Sequence, residues 1–156
     1  MNIENLFQVG FSYLLAPVGC REKAAVPESG LPQALADLAA AVSLEKTVLL
    51  STCSRMEIYG VSPDPERALK AARRWFLARG GPKIDSCLVS LRGQAALTHL
   101  FRVSSGLDSW IIGESEILGQ VRRAYEAARA LGLTGPLLNR AFQSAVAVGK
   151  AVRAQT

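Results

Sequence analysis

Histidine occurs once in the 156 residues, at His99, and cysteine three times, at Cys20, Cys53 and Cys87, with no Cys-x-x-Cys pair. These counts exclude a zinc site of recognised spacing, and an odd number of thiols argues against a disulfide framework. No metal is expected, and free thiols fit a reducing, cytoplasmic setting. No apolar run approaches the ~20 residues that a membrane helix needs. The opening Met1-Asn2-Ile3-Glu4-Asn5 lacks a basic residue followed by an apolar stretch, so no secretory leader is expected. No Gly-x-Gly-x-x-Gly follows a strand pattern, which removes the usual turn that cradles dinucleotide phosphates. Intrinsic disorder is excluded by composition, because hydrophobic residues make up 49% of the chain and charged ones only 20%.

A chain of this length buries one sizeable core, or two small subdomains packed together. Leu6 to Phe11 reads as a first strand, and a short charged stretch, Arg21-Glu22-Lys23, leads to a break at Pro27. Leu31, Leu35, Leu38 and Val42 share one helical face. Val48-Leu49-Leu50 and Ile58-Tyr59 are too short and apolar for helices and read as buried strands flanking a loop. Asp64 caps a helix with Pro65 in its first turn, and Leu69, Ala72, Trp75 and Phe76 point inward. Gly80-Gly81-Pro82 stops it. Cys87 to Leu91 is a fourth strand, closed by Gly93. The order β-α-β-β-α-β predicts an α+β fold, a ferredoxin-like split β-α-β sheet with helices on one face, over residues 1–92. From Gln94 onward only helical spacing remains. Ala96, Leu100 and Val103 form one face, Ile117, Val121, Tyr125 and Ala128 a second, and Leu138, Ala141, Phe142, Ala145, Val148 and Val152 a third. Residues 93–156 are therefore expected to form an α-helical subdomain. The last helix runs into Thr156 without a stopping residue, the pattern of a longer chain cut short.

Cys53 carries the clearest chemical suggestion. It sits between Thr52 and Ser54 in the polar loop joining the two central strands, with Arg55 two positions on. A guanidinium nearby favours a thiolate, and neighbouring hydroxyls and loop amides can orient a carbonyl. A buried, inert cysteine is the commoner state of an intracellular thiol, but functional groups collect in polar loops at strand ends. Arg55 stands too close to the cysteine to close a phosphatase-type ring of amides. The pattern therefore points to acyl chemistry, such as that of a cysteine-dependent acyl hydrolase. A net charge of +5 is compatible with a polyanionic partner without requiring one. The basic residues Arg67, Lys70, Arg73, Arg74, Arg79 and Lys83 read first as a solvated helix face and second as phosphate contacts.

The run Ser51-Thr52-Cys53-Ser54-Arg55-Met56-Glu57-Ile58-Tyr59 resembles the Ser-Thr-Cys-Asn-Arg-x-Glu-x-Tyr signature of the glutamyl-tRNA reductases. His99-Leu100-Phe101-Arg102-Val103-Ser104-Ser105-Gly106-Leu107-Asp108-Ser109 is similar to a second signature of that family. The similarity continues through Gly113-Glu114, Ile117 to Val121 and Gly149 to Arg153. Only the family's N-terminal catalytic domain is covered. The resemblance implies that Cys53 attacks the ester of glutamyl-tRNA to form a thioester. NADPH, bound by a domain missing from this chain, would reduce it to glutamate-1-semialdehyde for tetrapyrrole synthesis. It also implies that Thr52, Ser54, Arg55, Ser109, Glu114, Ser115, Glu116 and Gln120 line the glutamate pocket, with Arg55 on a carboxylate and Glu114 on the ammonium. His99 matches a position important for activity, where it can donate to the ester oxygens; without the motif it would read as a core histidine. Trp110 and Tyr125 are expected to pack rather than stack on bases.

The implied partners are glutamyl-tRNA and the next enzyme of the pathway, glutamate-1-semialdehyde aminomutase. A homodimer is expected for the full-length protein, through a dimerisation domain absent here, and a monomer for the fragment. Some residues depart from the family pattern. Ser12 to Pro17 replaces Asn-His-Lys-Thr-Ala-Pro, Ser54 replaces asparagine, and Ser115-Glu116 stands where Pro-Gln is common. The alternative is a divergent, non-catalytic domain that binds RNA or a partner on the same scaffold, which intact Cys53, Arg55 and His99 argue against.

Overall fold

The computed structural model describes residues 2–12, 18–41, 46–52, 54–107 and 116–155, with the side chains of Val18, Cys20 and Arg21 excepted. Strand β1 (Leu6–Ser12) is followed by a short helix α1 (Val18–Ala24), helix α2 (Leu31–Ala41), strands β2 (Thr47–Ser51) and β3 (Arg55–Val61), and helix α3 (Pro65–Gly80). Strand β4 (Val89–Arg92) then leads directly into α4 (Gly93–Ser104), α5 (Glu116–Ala130) and α6 (Gly135–Ala154). The four strands form one sheet in the order β2-β3-β1-β4, with every neighbouring pair antiparallel. That is the expected split β-α-β arrangement, in which each strand is separated from its helix-linked partner by one intervening strand.

Local chemistry explains the boundaries. The Asp64 side chain accepts from the Arg67 amide, 3.3 Å away, and Pro65 occupies the first turn of α3. Gly81, at φ +85°, ends that helix in a conformation that a side chain would strain. Pro82 then begins a 3-10 segment, Pro82–Cys87. Cys87 thus belongs to this segment and not to the fourth strand, which starts two residues later than the spacing suggests. The charged stretch Arg21 to Lys23 lies in α1, which ends before the break at Pro27.

The sheet has two covered faces. Phe7, Val9 and Phe11 alternate onto one side, where Phe11 meets Phe76 of α3 edge to face with ring centroids 5.9 Å apart. On the other side Tyr59 meets Phe142 of α6 at 5.4 Å, and α4 lies against β1. The expectation of helices on one face holds for α3 but omits the C-terminal helices that cover the second. This is why all seven residues of β3 are buried and why its alternation is invisible in hydropathy. The buried apolar residues form one cluster spanning both faces. The inward residues expected on α3, α4 and α5 are buried; on α6, Leu138, Ala141, Phe142 and Ala145 are buried while Val148 and Val152 are half-exposed.

Candidate active site

Strand β3 begins at Arg55, so Arg55, Met56 and Glu57 belong to the strand and not to the loop before it. The turn is correspondingly tight, and Thr52 organises it. The Thr52 amide donates to the Arg55 carbonyl at 2.9 Å, and the Thr52 hydroxyl accepts the amides of Ser54 and Arg55, each at 3.1 Å. This is a hydroxyl-closed turn of the kind that Ser and Thr favour. In consequence the Ser54 and Arg55 amides, which a polar loop would offer to a carbonyl substrate, are already bound within the turn. The Ser54 hydroxyl lies 3.3 Å from that of Thr52. Cys53 itself lies outside the described residues, as do Ser109, Glu114, Ser115 and Trp110.

Period-two geometry sends Arg55, Glu57 and Tyr59 to the face covered by α4 and α6. Glu57 is the centre of that face. It is 3% exposed, and its carboxylate accepts from the Tyr59 hydroxyl at 2.8 Å and from the Gln8 amide at 3.2 Å. The Arg55 guanidinium stands 3.4 Å away, and Nε2 of His99, reaching down from α4, lies at 2.5 Å. Burial pushes the Glu57 carboxyl upward. The His99 hydrogen bond and charge, the Arg55 charge and the Tyr59 hydrogen bond more than offset this and hold it below the ordinary glutamate value. The seat exists because Gly10 lies opposite Glu57 in the register. A Cβ on Gly10 would fall 2.2 Å from the Met56 carbonyl oxygen and 3.0 Å from the Glu57 side chain.

The structure therefore joins two expected site residues, Arg55 and His99, through a third that residue spacing did not single out. The available signal was an acid at i+2 from Arg55 inside a strand otherwise buried and apolar. Beside the turn, a cavity of about 510 Å³ lies between the α1–α2 connection, the end of β2 and α5. Thr52 and Gln120, both expected site residues, line it. Glu116 is the exposed first residue of α5, one turn before Gln120. Tyr125 packs as expected, stacked on Phe142 with ring centroids 5.7 Å apart and its hydroxyl donating to Asn139. In the basic set, Arg73 pairs with Asp85 at 3.0 Å, and Arg79 donates to the carbonyls of Ala24 and Ala25 while lying 5.1 Å from the Trp75 ring centre.

Comparison with known proteins agrees with this geometry. The family model described as "Glutamyl-tRNAGlu reductase, N-terminal domain" matches residues 9–156. A glutamyl-tRNA reductase of Thermus thermophilus is 47% identical over 97% of this chain and 36% of its own length. That of Thermosynechococcus vestitus is 40% identical over the same shares. The solved structure of the Methanopyrus kandleri glutamyl-tRNA reductase superposes with a TM-score of 0.77 at 35% identity, over 98% of this chain and 35% of that one. The chain thus spans about a third of the length of the relatives it matches.

Proposed function

The chain belongs to the family of glutamyl-tRNA reductase N-terminal domains, and from that premise we propose that it performs the acyl-transfer half of that reaction on glutamyl-tRNA. The Cys53 sulfur attacks the ester carbonyl carbon. A carbon–sulfur bond forms, the carbon–oxygen bond to the terminal ribose breaks, and the thiol proton passes through His99 to the departing ribose oxygen. Thiol and ester become thioester and alcohol, so atoms and charge balance. The observation that carries this reading is the buried Glu57 carboxylate held on His99 Nε2. A carboxylate there fixes the ring's orientation and tautomer, and Nδ1 becomes the nitrogen that meets the ester. Arg55 lies on the same strand face and is proposed as the anchor for a glutamate carboxylate, with Thr52, Ser54, Ser109, Glu114, Ser115, Glu116 and Gln120 completing the pocket.

NADPH is the family's reductant, and at two of the helix starts among the described residues a carboxylate stands where a phosphate would bind. At α3 the Asp64 carboxylate caps the first turn, and at α4 a Glu4 carboxylate oxygen stands 3.4 Å from where a Gly93 Cβ would be. A carboxylate at a helix N-terminus repels phosphate and takes its place. These turns do not fit the cofactor, and no step is derived through it. We assign reduction, dimerisation and any docking of the following enzyme to those parts of the longer relatives that this chain does not match.

The test is intact-mass analysis after mixing the chain with glutamyl-tRNA. A glutamyl adduct mapping to Cys53, lost in Cys53→Ser and slowed about a hundredfold in His99→Ala, is expected. Glutamyl-tRNA bound without any adduct would favour the non-catalytic scaffold instead.

A further inference from the structure

Alternation along β1 turns Leu6, Gln8 and Gly10 to the sheet face that α4 and α6 cover. Gln8 is 2% exposed there, paired in register with Tyr59 on β3 and Leu91 on β4. Burial alone favours an apolar side chain at such a position, as at Leu6. The Gln8 amide is also only half satisfied. Its nitrogen donates to Oε2 of Glu57 at 3.2 Å, while its carbonyl oxygen is buried without a hydrogen-bond partner. Turning the amide over gives no relief, because that sets the carbonyl oxygen against the carboxylate and leaves the nitrogen unmatched. A buried acceptor without a donor costs about as much as a good hydrogen bond returns. Gln8 therefore adds little to the stability of the fold.

What the amide supplies is direction. The donors around Glu57 divide unevenly: Tyr59 reaches Oε1, while Gln8, Arg55 and His99 all meet Oε2. Those three come from β1, from the strand of Glu57 itself and from α4. Resting on the acyl-transfer reading, we propose that Gln8 is a positioning residue for that reaction. From across the sheet its N–H holds Oε2 in line with the His99 ring, so the ring keeps the one tautomer and tilt in which Nδ1 meets the ester. Without Gln8 the carboxylate can turn about its terminal bond towards Arg55 or Tyr59, and the ring loses its fixed partner. Buried as it is, Gln8 acts on the rate through Glu57 and His99, and not on the binding of the RNA.

Gln8→Met keeps the length and approximate volume of the side chain and removes the donor and the orphaned acceptor together. Three donors remain on Glu57, so the urea midpoint should stay unchanged or rise. The saturating rate of Cys53 adduct formation from glutamyl-tRNA should fall about tenfold or more, with the half-saturating concentration unchanged. With the ring in its neutral form, the nitrogen resonances of His99 should show one tautomer in the wild type and a mixture in Gln8→Met. A merely structural glutamine gives the opposite pattern, a lower midpoint with the His99 nitrogens unmoved, and that result would overturn the proposal. So would an unchanged saturating rate, or a loss carried wholly by the half-saturating concentration. Gln8→Leu guards against a methionine variant that fails to fold; unfolding of both would make the amide a structural requirement and defeat the proposal. If the wild type forms no adduct while Gln8→Met still mixes the tautomers, the acyl-transfer reading falls and the hold of Gln8 on the His99 ring stands.

Discussion

Glu57 is a carboxylate withdrawn from water and given four donors in return, from Gln8, Arg55, Tyr59 and His99. Withdrawal alone costs several kcal/mol, so the arrangement survives only while the donors stay in place. Glu57→Gln keeps the shape but turns one acceptor oxygen into a donor among donors. It should destabilise the chain by about 3 kcal/mol in urea unfolding near neutral pH, the usual cost of breaking a buried pair. The pH dependence has a definite sign. Because the folded carboxyl lies below its ordinary value, its contribution is complete above the unfolded value, about 4.3. It falls away as pH drops through that value towards the folded one, and the wild-type melting temperature should decline there more steeply than that of Glu57→Gln. Parallel curves would mean that the network does not favour the ionised form. Arg55 lies on the same strand face and is 7% exposed. Arg55→Lys keeps the charge but loses the planar fork, so adduct formation from glutamyl-tRNA should fall roughly tenfold or more with the fold intact by circular dichroism. Unchanged turnover would remove Arg55 as the carboxylate anchor.

At the scale of elements, two glycines set how closely strands approach, and their neighbours rank them. At Gly10 an added methyl meets backbone, the Met56 carbonyl oxygen at 2.2 Å, so β1 and β3 must separate. At Gly60 it meets the Phe7 ring at 2.4 Å, a side chain that can give only a little because it is fully buried. Gly10→Ala should therefore cost about 3 kcal/mol or more, and Gly60→Ala somewhat less, by chemical denaturation. The reverse order would place the strain in the ring packing and not in the sheet. Gly10→Ala should also slow acyl transfer, since Glu57 rests over that glycine. The order of elements was legible because strong punctuation marks it: Asp64-Pro65 at the start of α3 and Gly80-Gly81-Pro82 at its end. The start of β3 was not, because a strand buried on both faces loses its alternation. Nor was Glu57's role, since its partners Gln8 and His99 are 49 and 42 residues away and only the fold brings them together. A polar loop between β2 and β3 was legible from the apolar runs on either side; that the Thr52 hydroxyl takes up the Ser54 and Arg55 amides was not.

Across the whole molecule, the helices on the second sheet face bring His99 onto the buried acid of a small α+β sheet. His99 stands on α4 and Gln120 on α5, while Arg55 and Glu57 belong to the sheet. Acyl transfer thus has its proposed groups within residues 52 to 120, and no Gly-x-Gly-x-x-Gly run follows a strand in the sequence. Mixing the chain with glutamyl-tRNA and NADPH should accordingly give the Cys53 adduct and slow release of free glutamate by water, with no aldehyde. Glutamate release should vanish in Cys53→Ser, because an alcohol of much higher pKa attacks an ester poorly. NADPH should leave both the rate and the products unaltered, since reduction is assigned to parts of the longer relatives that this chain does not match. Aldehyde formed by the chain alone would place the reductant site within these residues. Glutamate release that persists in Cys53→Ser would take the cysteine out of the reaction and leave His99 with Glu57 as a general-base pair acting on water.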